Sequence, residues 1–100
     1  MPDPRTSKLA ETLVHYCTSV HPGDWVLIRS HVVALPLVEQ VIGEVARAGG
    51  NPTVQRYSEE LDESLLRNSR LEQLGWVSPL EEMMAQQLDV RIVIGAASNT

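Results

Sequence analysis

His21-Pro22-Gly23-Asp24-Trp25-Val26-Leu27-Ile28 is the stretch that decides the fold. Proline and glycine are poor helix continuers, so the first four residues stop a preceding helix and turn the chain. The next four carry β-branched, aromatic and aliphatic side chains with no charge until Arg29, the pattern of a strand buried on both faces. A strand of that kind must be covered by other elements on each side, which points to an α/β architecture.

Upstream, Leu9, Leu13, Tyr16, Cys17 and Val20 recur at helical spacing and predict a helix over about 7–20 with one apolar stripe. Downstream, Ser30 to Val33 read as a loop, and a second helix begins near Ala34. Pro36 suits its first turn, where a missing N–H has no intrahelical partner anyway. Leu35, Val38, Ile42 and Val45 mark its buried stripe, and Ala48-Gly49-Gly50-Asn51-Pro52 ends it with a left-handed cap and a turn. Thr53-Val54-Gln55-Arg56-Tyr57 reads as a shorter strand nearer a sheet edge. Ser58 caps a third helix, whose first turns hold Glu59, Glu60, Asp62 and Glu63 where negative charge complements the helix dipole. Leu61, Leu65 and Leu66 supply its inner face. Ser69-Arg70-Leu71-Glu72 has capping-box spacing and predicts a short helix before Gly75. Ser78-Pro79-Leu80-Glu81 is the firmest start signal, joining a cap serine, a first-turn proline and a third-position glutamate. Leu80, Met83, Met84 and Leu88 line that helix, and Val90 to Ile94 make a third, buried strand.

Helical connections between strands imply right-handed crossovers and a parallel sheet with helices on its faces. The first connection sets strand 2 beside strand 1, and the long second one carries strand 3 to the other flank. The expectation is an α/β domain over residues 1–100: a three-layer open parallel sheet of about three strands, order 2-1-3, a Rossmann-like half. After strand 3 the sequence holds only Gly95-Ala96-Ala97-Ser98-Asn99-Thr100, with no covering helix. The chain therefore reads as the front piece of something larger.

With 43% apolar and 21% charged residues, the 100-residue chain fits a soluble globular domain. A net charge of −5 with eight scattered basic residues argues against a broad phosphate-binding surface, so no nucleic-acid partner is expected. Cys17 is the single cysteine, and nothing after Met1-Pro2-Asp3-Pro4-Arg5 resembles a signal peptide. No window approaches the ~20 apolar residues of a membrane span. These features predict a cytoplasmic protein without a membrane partner.

In an open parallel sheet, ligands bind at the carboxyl ends of strands, here Arg29 to Val33, Tyr57-Ser58 and Gly95 to Thr100. The loop Ser30-His31-Val32-Val33-Ala34 has no glycine to admit a pyrophosphate, and Lys8, the only lysine, precedes the first strand. His15, His21 and His31 show no paired ligand spacing, and His15 and Cys17 would diverge by about 200° on a helix. His31 lies on the functional rim, though an ordinary loop histidine is the favoured reading. Cys17, on the apolar stripe, reads as a buried core residue and not as a nucleophile. The acidic run from Glu59 to Glu63 reads as a solvated helix start and not as catalytic carboxylates, and Met83 and Met84 read as packing. Trp76 either anchors a helix connection or contacts another domain. No catalytic, cofactor-binding or metal-ligating residue is assigned in this chain.

Lys8-Leu9-Ala10, Pro22-Gly23-Asp24, Val26-Leu27-Ile28-Arg29, Pro36-Leu37-Val38, Ala48-Gly49, Pro52, Glu60-Leu61-Asp62 and Gly95-Ala96 follow one another in an order that resembles a known family. It is the N-terminal region of the thermophilic metalloaminopeptidases, the aminopeptidase T and aminopeptidase S group of leucyl aminopeptidase type. The resemblance implies a longer parent enzyme that releases N-terminal residues from peptides with two divalent metal ions, zinc or cobalt. It places the glutamate, histidine and aspartate ligands in the C-terminal portion, outside this chain, so none is carried over. It implies that the residues here frame the active-site cleft, with a homodimer as a possible assembly, and that alone they are inactive. Two competing expectations are a freestanding module binding a small ligand near His31 and Asn99, and a module that dimerises through apolar surface left uncovered at strand 3.

Overall fold

Three strands, β1 (Trp25–His31), β2 (Asn51–Tyr57) and β3 (Val90–Ile94), form one parallel sheet ordered β2-β1-β3. This is a computed structural model that describes residues 4–32 and 34–95. The α/β class, the parallel pairing and the order match the expectation from the sequence. So does the reason: each strand returns through helices, α2 (Leu35–Arg47) between the first two, then α3 (Glu59–Asn68) and α4 (Pro79–Gln87) before the third.

One sheet face carries the core. The register sets Val26 beside Pro52 and Val90, and Ile28 beside Val54 and Ile92, so these side chains share a face. Helix α1 (Pro4–Thr12), the turn after it and α2 cover that face. Ala10, Val14, Val38, Val41 and Val45 pack there with Val26, Ile28, Ile92 and Ile94. Each fully buried valine or isoleucine contributes about 1.5–3 kcal/mol relative to exposure. Ser30, also wholly buried on this face, is satisfied by donating to the His31 carbonyl.

A tight junction fixes where β1 and β2 begin. Gly23 N–H donates to the Gly49 carbonyl at 2.9 Å, and Asn51 N–H to the Asp24 carbonyl at 2.7 Å. Gly49 has φ +89°, the left-handed cap expected at the end of α2, and a side chain there would sit 2.9 Å from the Pro22 Cα.

The first helix departs from expectation. It is α-helical only to Thr12 and widens into a π-helical turn over Leu13–Cys17. Thr18 Oγ1 donates back to the Leu13 carbonyl, five residues earlier, at 2.9 Å. The core face runs through Ala10 and Val14, one position on from Leu9 and Leu13, and the wider turn then shifts the phase of the side chains after it. Cys17, expected to be buried, is exposed, Tyr16 is 76% exposed, and Leu9 also lies largely in solvent.

β1 also runs further than expected, through His31, because Arg29 and His31 find partners on the second sheet face. α2 buries Val38, Val41 and Val45, with Leu35 exposed at its start.

The second face is covered thinly. Leu27 is buried there, and the contact of Arg29 with Glu81 at 3.9 Å puts the first turn of α4 over it. Met84, one turn beyond Glu81, is the only buried residue of α4; Leu80 and Met83, expected on its inner face, are exposed. Ser78 does cap this helix, accepting from Leu80 N–H at 3.2 Å. Ser58 likewise caps α3 through Leu61 N–H at 3.2 Å. α3 nevertheless buries no residue, so Leu61, Leu65 and Leu66 are not an inner face. The expected capping box at Ser69 and Glu72 is replaced by a 3-10 turn at Leu71–Gln73, where Gln73 Oε1 accepts from Arg70 N–H at 2.8 Å. β3 is buried on one face only: Ile92 and Ile94 lie in the core, while Val93 is 59% exposed.

Candidate functional site

The rim at the carboxyl ends of β1 and β2 is where the sequence placed any ligand. There Arg29 stands beside Gln55, and His31 beside Tyr57, because parallel pairing in register aligns side chains of one face. Arg29 Nη1 donates to Gln55 Oε1 at 2.9 Å, and its guanidinium lies 5.1 Å from the Tyr57 ring centre. His31 meets the same ring edge-on, with centroids 5.5 Å apart. Its Nε2 lies 2.9 Å from Glu59 Oε2 in the first turn of α3.

His31 is 8% exposed, and Glu59 is largely in solvent. The hydrogen bond from His31 holds the Glu59 carboxyl below its ordinary range, helped by the Glu59 backbone N–H at the start of the helix. The cluster therefore works as a brace. Arg29 ties β1 to β2 and, through Glu81, to α4; His31 ties β1 to α3.

The other sequence candidates lie apart. His15 pairs with Glu44 of α2 at 3.0 Å, and Arg47 also reaches that carboxylate. The Glu44 carboxyl is lowered mainly by the Arg47 hydrogen bond and further by His15, against a partial opposing effect of burial. His21 lies 3.8 Å from Asp24 in the turn before β1. Cys17 sits on the surface. Asn99, proposed beside His31 as part of a ligand rim, lies outside the described residues, as do Val33 and the rest of the sequence after Gly95.

Sequence reasoning placed Tyr57 at this rim but missed Gln55 and Glu81 as partners there. Alternation along each strand puts Arg29 with His31, and Gln55 with Tyr57, but only the β1–β2 register says that these pairs are neighbours. Further hollows open elsewhere among the described residues. One, at the end of β3, is lined by Thr6, Leu9, Ala34, Pro36, Leu37, Ile94 and Gly95. Another lies between α3 and the turn that follows it.

The family model described as thermophilic metalloprotease (M29) matches residues 3–100. No curated protein matches the chain. A metalloprotease implies a bound metal ion, and such sites draw on three or four convergent protein ligands. Among the described residues the histidines form pairs with single carboxylates, and no group of three His, Cys, Asp or Glu side chains could hold an ion. The described residues do not fit that metal. The family match nonetheless spans nearly all of the sequence, and the chain belongs to the thermophilic metalloprotease family.

Proposed function

We propose that this chain is the N-terminal, cleft-framing domain of a cytoplasmic, metal-dependent aminopeptidase that releases N-terminal residues from peptides. The observation that carries the reading is the family match over residues 3–100, which gives hydrolysis of peptides by a metalloprotease as the general activity. In this reading no catalytic or metal residue belongs to the chain, and the two divalent ions, zinc or cobalt, are assigned to polypeptide outside residues 1–100. The rim supports that division: His31 meets the Glu59 carboxylate across β1 and α3, an arrangement that fixes elements in place. Arg29 and His31 then hold the strand ends and the starts of α3 and α4 as one rigid wall. A homodimer of the parent enzyme belongs to the same proposal; a module that dimerises by itself through the apolar surface at β3, where Val93 is exposed, is the competing reading.

The test is an assay of N-terminal residue release from short peptides. The purified 100-residue chain, folded by circular dichroism and supplied with zinc or cobalt, is expected to release nothing. A longer polypeptide joining it to a metal-bearing family domain is expected to be active. Metal-dependent hydrolysis by the chain alone, surviving removal of contaminating peptidases, would overturn the proposal.

A further inference from the structure

Between β2 and α4 the chain makes one long excursion from its core. Ser58, at the end of β2, is buried, and the next buried residue is Met84 of α4. Nothing between them is buried, although Leu61, Leu65, Leu66, Leu74 and Trp76 all belong to this stretch. Both ends are fastened. Ser58 sits in the protein and accepts from Leu61 N–H, while α4 is held by Met84 and by the contact of Glu81 with Arg29. The excursion also holds itself together. Leu65 and Leu66 of α3 line the same hollow as Leu74 and Trp76, and the turn closes through Leu74 N–H to the Leu71 carbonyl and Trp76 N–H to the Gln73 carbonyl, at 3.2 and 3.1 Å.

What binds α3 to the sheet is the contact of Glu59 with His31, 2.9 Å between Oε2 and Nε2. Its two halves differ. His31 is 8% exposed and set edge-on against Tyr57, so its ring is fixed in the sheet, whereas the Glu59 side chain is largely in solvent. The fixed half belongs to the sheet and the releasable half to the helix. Local opening costs the apolar contacts and hydrogen bonds that it breaks. Lifting α3 and its turn from the core gives up no buried side chain, so the cost falls mainly on this one contact. The core, built on α1, α2 and the sheet, loses nothing when they move.

We propose that residues 59–77 form a hinged flap that opens as a unit while the α/β core stays folded, with the His31–Glu59 contact as its catch. Opening takes the carboxylate off His31 Nε2 and frees that nitrogen at the carboxyl ends of β1 and β2. The inference rests on burial and on the contacts of this segment, and it stands or falls apart from the peptidase reading.

The experiment follows amide hydrogen exchange of the 100-residue chain by NMR under native conditions. Protection factors in α3, and at Leu74 and Trp76 of the turn, are expected to be at least about a hundredfold below those of Val41 and Val45 in α2. Glu59→Ala, at a solvated position, is expected to leave the circular dichroism spectrum unchanged. It is expected to lower protection in α3 and in the turn together, by about threefold, with α2 unmoved. Glu60→Ala removes the same charge from the same first turn, so it matches any effect of the helix dipole, and is expected to change protection by less than about twofold. The proposal is overturned if α3 is protected as strongly as α2. A response of α3 to Glu59→Ala that leaves Leu74 and Trp76 unmoved would break the unit. Equal effects of Glu59→Ala and Glu60→Ala would remove the catch.

Discussion

Replacing Gly49 by alanine tests the junction that aligns the rim. Gly49 sits at φ +89°, where an L side chain costs about 1–2 kcal/mol. Its new Cβ would also fall 2.9 Å from the Pro22 Cα and 3.0 Å from the Pro22 Cβ, so backbone must move. Overpacking of that kind costs about 1–3 kcal/mol more. The sum, about 2–5 kcal/mol, is a large part of the 5–15 kcal/mol roughly available to a small domain. Two other glycines separate the contributions. Gly23 has φ +87°, but no atom lies within 4 Å of where a Cβ would stand, so Gly23→Ala is expected to cost only the backbone term, about 1–2 kcal/mol. Gly75 has neither a positive φ nor a neighbour within 4 Å, and Gly75→Ala is expected to stabilise by about 0.4–1 kcal/mol. Urea unfolding followed by circular dichroism reads all three. The expected midpoints rank Gly75→Ala above wild type, then Gly23→Ala, then Gly49→Ala. With a urea slope of about 1–3 kcal/mol/M, the last lies about 1–5 M below wild type. A Gly49→Ala midpoint equal to wild type, or above that of Gly23→Ala, refutes the reasoning. The junction matters because its Gly23–Gly49 hydrogen bond starts the register that brings Arg29 to Gln55 and His31 to Tyr57.

Burial separates two otherwise similar truncations: Val41→Ala, in the core, is expected to cost about 1–3 kcal/mol, whereas Leu65→Ala, on the open groove, stays within about 0.5 kcal/mol of wild type by the same urea assay. Cys17 is expected to react with a thiol reagent in the native protein at close to the rate of the unfolded chain, and strong protection would place it back in the core. The Glu59 and Glu44 carboxyls are lowered in the folded state from 4.5, so each contributes stability that is present above that value and lost as pH falls through the lowered midpoint. Carbon NMR titration is expected to show both midpoints below 4.5, with His31→Ala raising that of Glu59; an unmoved Glu59 midpoint contradicts the His31 contact.

Local signals in the sequence carried the architecture well. Ser58 and Ser78 cap the helices they precede, Gly49 takes the left-handed cap, and the lengths of the two connections pointed to the order β2-β1-β3. What failed depended on phase or on partners distant in the chain. The buried stripe of the first helix runs through Ala10 and Val14, one position on from the expected one, and the π-helical turn at Leu13–Cys17, of which helical spacing carries no sign, leaves Cys17 in solvent. Leu61, Leu65 and Leu66 have core periodicity, but a stripe becomes a core only when something faces it, and here nothing among the described residues does. Arg29 read as the end of a strand because charge seldom sits in a buried one. Gln55, Tyr57 and Glu81, all distant in the chain, make it tolerable. His31 was legible as a rim residue, yet its role as a brace needed the position of Glu59.

The measurement that bears most directly on this account is the metal content of the folded 100-residue chain after equilibrium dialysis against zinc or cobalt. With no group of three His, Cys, Asp or Glu side chains among the described residues able to hold an ion, the chain is predicted to retain no stoichiometric ion once weakly held metal is dialysed away. One or two ions held per chain, and released by His31→Ala or Glu59→Gln, would place the metal centre within these residues and contradict the division of labour proposed for the peptidase.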